Sequence, residues 1–161
     1  MEILFENTYI RTEDFAKEIF RYIFFKRKPL IALGVLFLLT LILNAYAGDW
    51  MIVIMLCVFF VLFFAFGYSR NVNLIIRRDE EISPNPITVS TVVTDGYIQP
   101  STSLGSVYKI YFRDIKQAAQ TKNYILLTTK AVQMYAFRKD GFTKGTPEEF
   151  IAFLRTKGLK I

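Results

Sequence analysis

Few residues of this 161-residue chain have the chemistry of a catalytic site. The sequence contains no histidine, which excludes Ser/His/Asp and Cys/His nucleophile pairs and most zinc sites. The single cysteine, Cys57, lies inside an apolar block and can form neither an internal disulfide nor a Cys-x-x-Cys site. Asp95 and Asp114 could serve an enzyme at a bilayer surface, but a turn cap or surface ion pair is the commoner role for Asp114. The sequence therefore predicts a non-enzymatic protein without metal or cofactor.

Basic residues offer a different chemistry, which is contact with phosphate groups. The formal charge is +6, and the surplus lies in residues 69–161, which hold fourteen bases and eight acids. Lys139 and Lys144 belong to a loop with two glycines that could contact a protein partner or a lipid headgroup, while a solvated turn is the alternative. No run of bases with interleaved aromatic residues is present, so nucleic acid is not expected. Anionic lipid headgroups are the simpler partner for such a surplus.

These bases stand beside two uncharged apolar blocks, at residues 29–46 and 50–68. A helix rises 1.5 Å per residue, so about 18–20 residues cross a hydrocarbon core of roughly 30 Å. Only Ala47, Gly48 and Asp49 separate the blocks, and such a short connection makes two helices antiparallel neighbours. The sequence predicts a transmembrane hairpin. A signal peptide cleaved after residues 45–47 is the alternative, which the acidic character of the preceding segment disfavours.

Charged and aromatic residues at the ends of the blocks indicate the orientation. The predicted membrane-flanking residues are Lys26, Arg27, Lys28, Trp50, Tyr68, Arg70, Arg77 and Arg78. Bases beside a span are retained in the cytoplasm, and tryptophan and tyrosine prefer the headgroup level. The turn carries only Asp49. Both termini are therefore predicted to be cytoplasmic.

The remaining segments predict an α+β domain. A strand is expected from Glu2 to Ile10, and Thr12 is expected to cap an amphipathic helix that either lies in the membrane interface or packs on the C-terminal domain. Further strands are predicted at residues 72–78, 87–94, 97–99, 106–112, 124–129 and 132–137, with Asp95-Gly96 as a hairpin turn.

A capping box of Thr146 and Glu149, with Pro147 between them and Gly158 as terminator, marks a final helix. The predicted fold is an α+β membrane protein with a small antiparallel sheet or barrel that this helix closes. Its parts are an N-terminal strand and helix (1–28), a transmembrane hairpin (29–68) and a cytoplasmic β domain (69–161).

This order of elements resembles that of the bacterial YcxB-like membrane proteins. The local matches are residues 111–115, residues 124–127 and residues 139–145 leading into Glu148-Glu149-Phe150. The resemblance implies a C-terminal domain similar to a bacterial pleckstrin-homology fold, a place in the inner membrane and no established activity.

The expected function is that of a membrane-anchored binding or regulatory module, which contacts a protein or a lipid through its cytoplasmic domain. An immunity protein against a membrane-targeting toxin is the alternative, motivated by size and topology alone. Neither block contains a Gly-x-x-x-Gly motif, since Gly34 and Gly67 are isolated, so the oligomeric state stays open.

Overall fold

The computed structural model describes residues 2–26, 28–83 and 85–161, with side chains described in these ranges except at 25–32, 64, 68, 71, 75, 76 and 78–80. The chain forms two compact units. Met1–Arg11 together with Ser83–Ile161 make one, called the β unit, and Thr12–Ile82 make the other, called the helical unit. The N-terminal strand thus belongs with the C-terminal segment.

The described residues of the helical unit form three helices: α1 (Glu13–Lys26), α2 (Lys28–Tyr46) and α3 (Trp50–Ile82). The Thr12 hydroxyl accepts a hydrogen bond from the Phe15 amide at 3.3 Å, so the predicted cap of α1 is present. Between α2 and α3 the chain turns at Gly48, whose φ is +84°. The rings of Phe37 and Phe60 stack across the pair with centroids 4.1 Å apart. The two predicted apolar helices and their short turn are therefore present.

Only one helix of the described residues is long and apolar enough to cross a membrane by itself, over Trp50–Leu74 of α3. The described apolar part of α2, Leu33–Tyr46, is shorter. Both statements about crossing a membrane rest on the length and composition of the helices alone.

The strand predicted at residues 72–78 is wrong, because α3 continues through this segment to Ile82. The β-branched residues Val72, Ile75 and Ile76 suggested a strand. An established helix, however, adds one hydrogen bond for each further residue without a new nucleation step. No glycine or proline follows Gly67 in the sequence until Pro84, so nothing local ends the helix earlier.

In its described residues the β unit contains eight strands and one α-helix. Their bounds are β1 (Ile3–Ile10), β2 (Thr88–Thr94), β3 (Tyr97–Thr102), β4 (Ile110–Tyr111), β5 (Ile115–Gln120), β6 (Tyr124–Thr129), β7 (Met134–Arg138), β8 (Phe142–Lys144) and α4 (Pro147–Thr156). The strands form an antiparallel five-stranded sheet in the order β4-β3-β2-β1-β8 and a three-stranded sheet in the order β5-β6-β7. The α+β class with antiparallel sheets is confirmed, whereas the described strands form two sheets and no closed barrel.

Strand β1 lies inside the larger sheet and not at its edge. It pairs with β2 along its whole length, from Ile3 opposite Thr94 to Ile10 opposite Thr88, and with β8 on its other side. One residue beyond the strand, the Arg11 amide donates to the Ile87 carbonyl at 2.9 Å. The chain therefore leaves this sheet for the helical unit and returns to it at the same place.

Helix α4 closes the core of the β unit. The Glu149 amide donates to the Thr146 hydroxyl at 3.2 Å, and the Thr146 amide donates to the Glu149 carboxylate at 2.9 Å, so the predicted capping box is confirmed. Phe150 and Leu154 are fully buried. The Phe150 ring lies 5.3 Å from that of Phe5 in β1 and 4.6 Å from that of Phe137 in β7, so α4 joins both sheets in one core.

Other strands differ from the predictions in extent. The strand expected at residues 106–112 contracts to Ile110–Tyr111, and β5 and β8 were not predicted. β5 has the sequence IKQAAQ, which has little β propensity. It becomes a strand because Ile115 and Ala118 are buried and its backbone pairs with β6.

Two three-residue turns of the same design connect strands of the β unit. In the first, the Thr102 amide donates to the Ser106 carbonyl at 3.0 Å and the Gly105 amide to the Thr102 carbonyl at 2.9 Å. In the second, the Thr129 amide donates to the Gln133 carbonyl at 2.9 Å and the Val132 amide to the Thr129 carbonyl at 3.0 Å. The third turn residue is left-handed in both, Gly105 at φ +82° and Val132 at φ +64°. This geometry ordinarily requires glycine.

Candidate functional site

The C-terminal half of α3 combines apolar and basic residues on one face, which we call the α3 basic face. It is defined by Phe66, Ser69, Arg70, Asn73, Leu74 and Arg77, which line an open groove of about 350 Å³. The spacing of three, four and seven residues places side chains on the same side of a helix. The sequence positions this face because α3 continues past the apolar block without a break.

The α3 basic face carries two cations, with Phe66 about one turn before the first and Leu74 between the two. Arg70 and Arg77 are seven residues apart, which corresponds to roughly 10 Å along the helix axis. Both side chains are exposed, as are Ser69 and Asn73 between and beside them. Guanidinium groups bind phosphate oxygens through two parallel hydrogen bonds, and a serine hydroxyl and an asparagine amide add further donors. The face has the composition of a site for a phosphate-bearing headgroup, with Phe66 toward the apolar end.

The other predicted flanking residues are placed as follows. Trp50 is the first residue of α3 and is exposed, beside the turn that contains Gly48 and Asp49. Arg27 and the side chains of Lys26, Lys28, Tyr68 and Arg78 lie outside the described residues.

The two lysines predicted to contact a partner or headgroup donate to the protein's own backbone. The Lys139 ammonium lies 2.8 Å from the Thr121 carbonyl, at the turn between β5 and β6. The Lys144 ammonium donates to the Ile3 carbonyl at the start of β1. These bonds fasten the segment after β7 to two different parts of the β unit. Contact with a partner remains a prediction for both residues.

The same segment is held from inside by Asn7. This buried side chain donates to the Arg138 carbonyl at 2.7 Å and accepts from the Arg138 amide at 3.1 Å. Outside, the Arg138 guanidinium pairs with Asp140 at 2.6 Å, and the hydrogen bond that it donates to this carboxylate raises the pKa of Arg138. The arrangement joins the end of β7 to β1 through a side chain inside the β unit.

A second surface, which sequence reasoning missed, lies on the outer side of β3 and β4 and on the turn between them. We call it the β3–β4 surface and define it by Leu104, Val107, Tyr108, Lys109, Tyr111 and Arg113, all of which are exposed. Tyr111 is opposite Tyr97 in the sheet, with the two rings edge to face at 6.5 Å. The Lys109 ammonium lies 5.0 Å from the centre of the Tyr97 ring, and the Arg113 guanidinium 5.2 Å from that of Tyr111.

Tyr108 of this surface interacts with a tyrosine of the smaller sheet, Tyr135 in β7. The pKa of Tyr135 is raised mainly by burial and further by the charge of Tyr108. The Tyr135 hydroxyl donates to the Gln133 side chain at 2.9 Å. Only strand register could have indicated the β3–β4 surface from the sequence, because Tyr97 and Tyr111 face the same side only when Ile98 pairs with Ile110 in the core.

Next to this surface, Lys157 occupies an open cleft of about 370 Å³ that Asp95, Gly96 and Arg113 help to line. The Lys157 ammonium pairs with the Asp95 carboxylate at 2.6 Å and lies 5.1 Å from the centre of the Phe153 ring. Its charge is therefore already balanced. Asp95 acts here as the partner of a base beside a turn and not as an isolated carboxylate.

Comparison with known proteins finds a similarity over the C-terminal part of the β unit. Residues 94–154 match the family model described as YcxB-like protein. The matched segment begins at the last residue of β2 and ends within α4, and it includes the β3–β4 surface. The resemblance predicted from the sequence is confirmed over this segment. No curated protein and no solved structure matches the chain.

Proposed function

We propose that this chain, whose residues 94–154 are similar to YcxB-like proteins, is a membrane-anchored, non-enzymatic binding module of the bacterial inner membrane. In this proposal α2 and α3 cross the bilayer as a hairpin, and the β unit is a pleckstrin-homology-like domain on the cytoplasmic side. The α3 basic face binds anionic headgroups where the helix leaves the hydrocarbon core.

The pairing of β1 with β2 carries the proposal. Because Ile10 is opposite Thr88 and Arg11 is hydrogen-bonded to Ile87, the intervening chain starts and ends at one folded unit. A segment with both ends on the same side of a bilayer crosses it an even number of times. If Trp50–Leu74 crosses, a second crossing is required. α2 supplies it, because the sequence from Pro29 to Ala32 extends its apolar part without a charge.

Charge supports the side on which the β unit lies. Bases that flank a span are retained in the cytoplasm, and Arg70 and Arg77 lie at the end of α3 that leads to the β unit. Each base near an anionic leaflet contributes about 1 kcal/mol of attraction, so the pair strengthens headgroup binding by one to two orders of magnitude.

Cysteine labelling in cells tests the crossings. Cys57 is the sole cysteine, so Cys57→Ala gives a background for Asp49→Cys in the α2–α3 turn and Lys122→Cys in the β5–β6 turn. A membrane-impermeant maleimide applied to spheroplasts is expected to label position 49, and to label position 122 only after permeabilisation. Labelling of both positions from the same side would refute the hairpin.

Lipid binding has a separate test. The double variant Arg70→Gln/Arg77→Gln is expected to lose preference for phosphatidylglycerol over phosphatidylcholine, measured as lipid retained on the purified full-length chain. Lys116→Gln/Lys122→Gln removes the same charge from exposed positions of the β unit and is the matched control. Equal losses in both variants would indicate a general charge effect and would contradict a site on α3.

A further inference from the structure

We infer that the β3–β4 surface is a second membrane contact, which lies in the headgroup region of an anionic bilayer. The inference rests on the proposed function for the anchoring of the chain, and it assigns to the β unit a partner that the anchor alone does not require. It concerns Leu104 and Val107 at the turn, Tyr108 and Tyr111 beside them, and the cations Lys109 and Arg113.

The shape of the surface fits insertion. The turn is closed by the two backbone hydrogen bonds of Thr102, and the Tyr108 amide donates to the Pro100 carbonyl at 3.1 Å, so the apolar side chains are carried on hydrogen-bonded backbone. Leu104 is at the tip, and Val107 and Tyr108 are each 56% exposed just behind it. Exposed apolar side chains that are grouped in this way mark contact sites more often than scattered ones do.

The charges of the surface select an anionic bilayer as the occupant. From Tyr97 to Arg113 the sequence contains two bases and no acid. Both cations lie over tyrosine rings and both residues are exposed, so solvent-borne phosphate groups can reach them. Tyrosine is enriched at the level of lipid headgroups, where its ring is in apolar surroundings and its hydroxyl is hydrated. The combination of apolar tip, tyrosines and flanking bases is that of an interfacial membrane contact.

Anchoring makes such a small surface sufficient. A domain tethered to the bilayer meets it at a high effective concentration, so a contact too weak to recruit a free protein can still be occupied. We therefore expect the contact to be reversible and to depend on lipid charge and ionic strength.

The experiment places an environment-sensitive NBD fluorophore on the full-length chain in nanodiscs. In the Cys57→Ala background, Val107→Cys carries the label in the surface, and Lys122→Cys carries it in the β5–β6 turn as the matched exposed control. Discs contain either phosphatidylcholine alone or phosphatidylcholine with about a third phosphatidylglycerol, each with a headgroup-proximal spin-labelled quencher lipid. Quenching of the label at position 107 is expected to be at least threefold greater in anionic discs, to fall to the level in neutral discs when Lys109→Glu/Arg113→Glu is added, and to be absent at position 122.

Several outcomes would overturn the inference. Equal quenching at positions 107 and 122, or quenching at position 107 that is independent of phosphatidylglycerol, would exclude a specific anionic contact. A blue shift at position 107 without lipid quenching would indicate a protein or a second copy of the chain as the occupant, and would also overturn it. Carbonate extraction of membranes that contain the chain tests the anchor separately. If the chain stays in the membrane pellet, the anchoring proposal stands whichever of these results is obtained. If carbonate releases the chain, the anchor itself is refuted.

Discussion

Replacement of Val132 by glycine is expected to stabilise the β unit, although it removes a side chain. Val132 ends the turn between β6 and β7 with φ +64°, and it is 80% exposed. A residue with a Cβ pays roughly 1–2 kcal/mol for the left-handed conformation. Glycine avoids this cost but loses more backbone entropy on folding, by about 0.4–1 kcal/mol. The net gain in the free energy of unfolding is therefore about 0.5–1 kcal/mol.

The other turn of the same design provides an internal comparison. Gly105 has the same position and the same hydrogen bonds at φ +82°, and a Cβ at this residue would meet no heavy atom within 4 Å. Gly105→Val should therefore reproduce the left-handed strain of Val132. We expect it to destabilise the β unit by a similar amount, and Val132→Ala to change stability little because alanine retains the Cβ.

The measurement is a urea titration of the full-length chain in phosphatidylcholine nanodiscs, with pulse proteolysis to quantify the folded β unit. A small domain loses about 1–3 kcal/mol of stability per molar urea. The midpoint should therefore rise by about half a molar unit for Val132→Gly. An equal rise for Val132→Ala would show that the Cβ is not the source of strain, and a fall for Val132→Gly would show that the valine side chain makes contacts that outweigh it.

Three further predictions concern the β unit of the full-length chain. Asn7→Ala removes the partner of the partly buried amide and carbonyl of Arg138, so the free energy of unfolding should fall by about 2–4 kcal/mol; a loss below 1 kcal/mol in the same titration would contradict the bridging role. Thr146→Ala removes the capping box shared with Glu149 and should cost about 1 kcal/mol, with faster amide exchange in the first turn of α4; unchanged exchange there would count against it. Burial raises the pKa of Tyr135, so the folded state holds this proton more tightly than the unfolded chain does. The contribution of this proton to the free energy of unfolding is intact below about pH 10 and is lost at higher pH. Tyr135→Phe should therefore make the free energy of unfolding fall less steeply above pH 10. An identical fall in the variant and the parent would refute this.

Features determined by local hydrogen bonds could be predicted from the sequence. The capping box of Thr146 and the turn at Asp95-Gly96 are formed by residues within a few positions of one another, and both are present. The Thr94 hydroxyl donates to the Tyr97 carbonyl at 3.0 Å across that turn. The length of the two uncharged apolar blocks likewise predicted helices α2 and α3.

Features determined by distant partners could not be predicted in this way. Residues 72–78 have the composition of a strand, but they follow a helix that has no reason to end. Ile115–Gln120 has little strand character and is a strand because β6 lies beside it. The roles of Lys139 and Lys144 were equally inaccessible, because their carbonyl partners at Thr121 and Ile3 are 18 and 141 positions away in the chain.

The central place of β1 has a consequence for how the chain folds during synthesis. β1 is made first, yet its partners β2 and β8 follow more than seventy residues later, so the sheet cannot form until the helical unit has been completed. In the terms of polymer physics the whole helical unit is a loop of this sheet, and the entropic cost of closing a loop rises by only about 0.6 kcal/mol for each doubling of its length. If α2 and α3 cross the bilayer as proposed, the inserted hairpin returns its two ends to the same side and lowers that cost further. Membrane insertion would then act as the nucleation step for the β unit, and a chain that stops after Ile82 would leave β1 as an unpaired strand prone to aggregation.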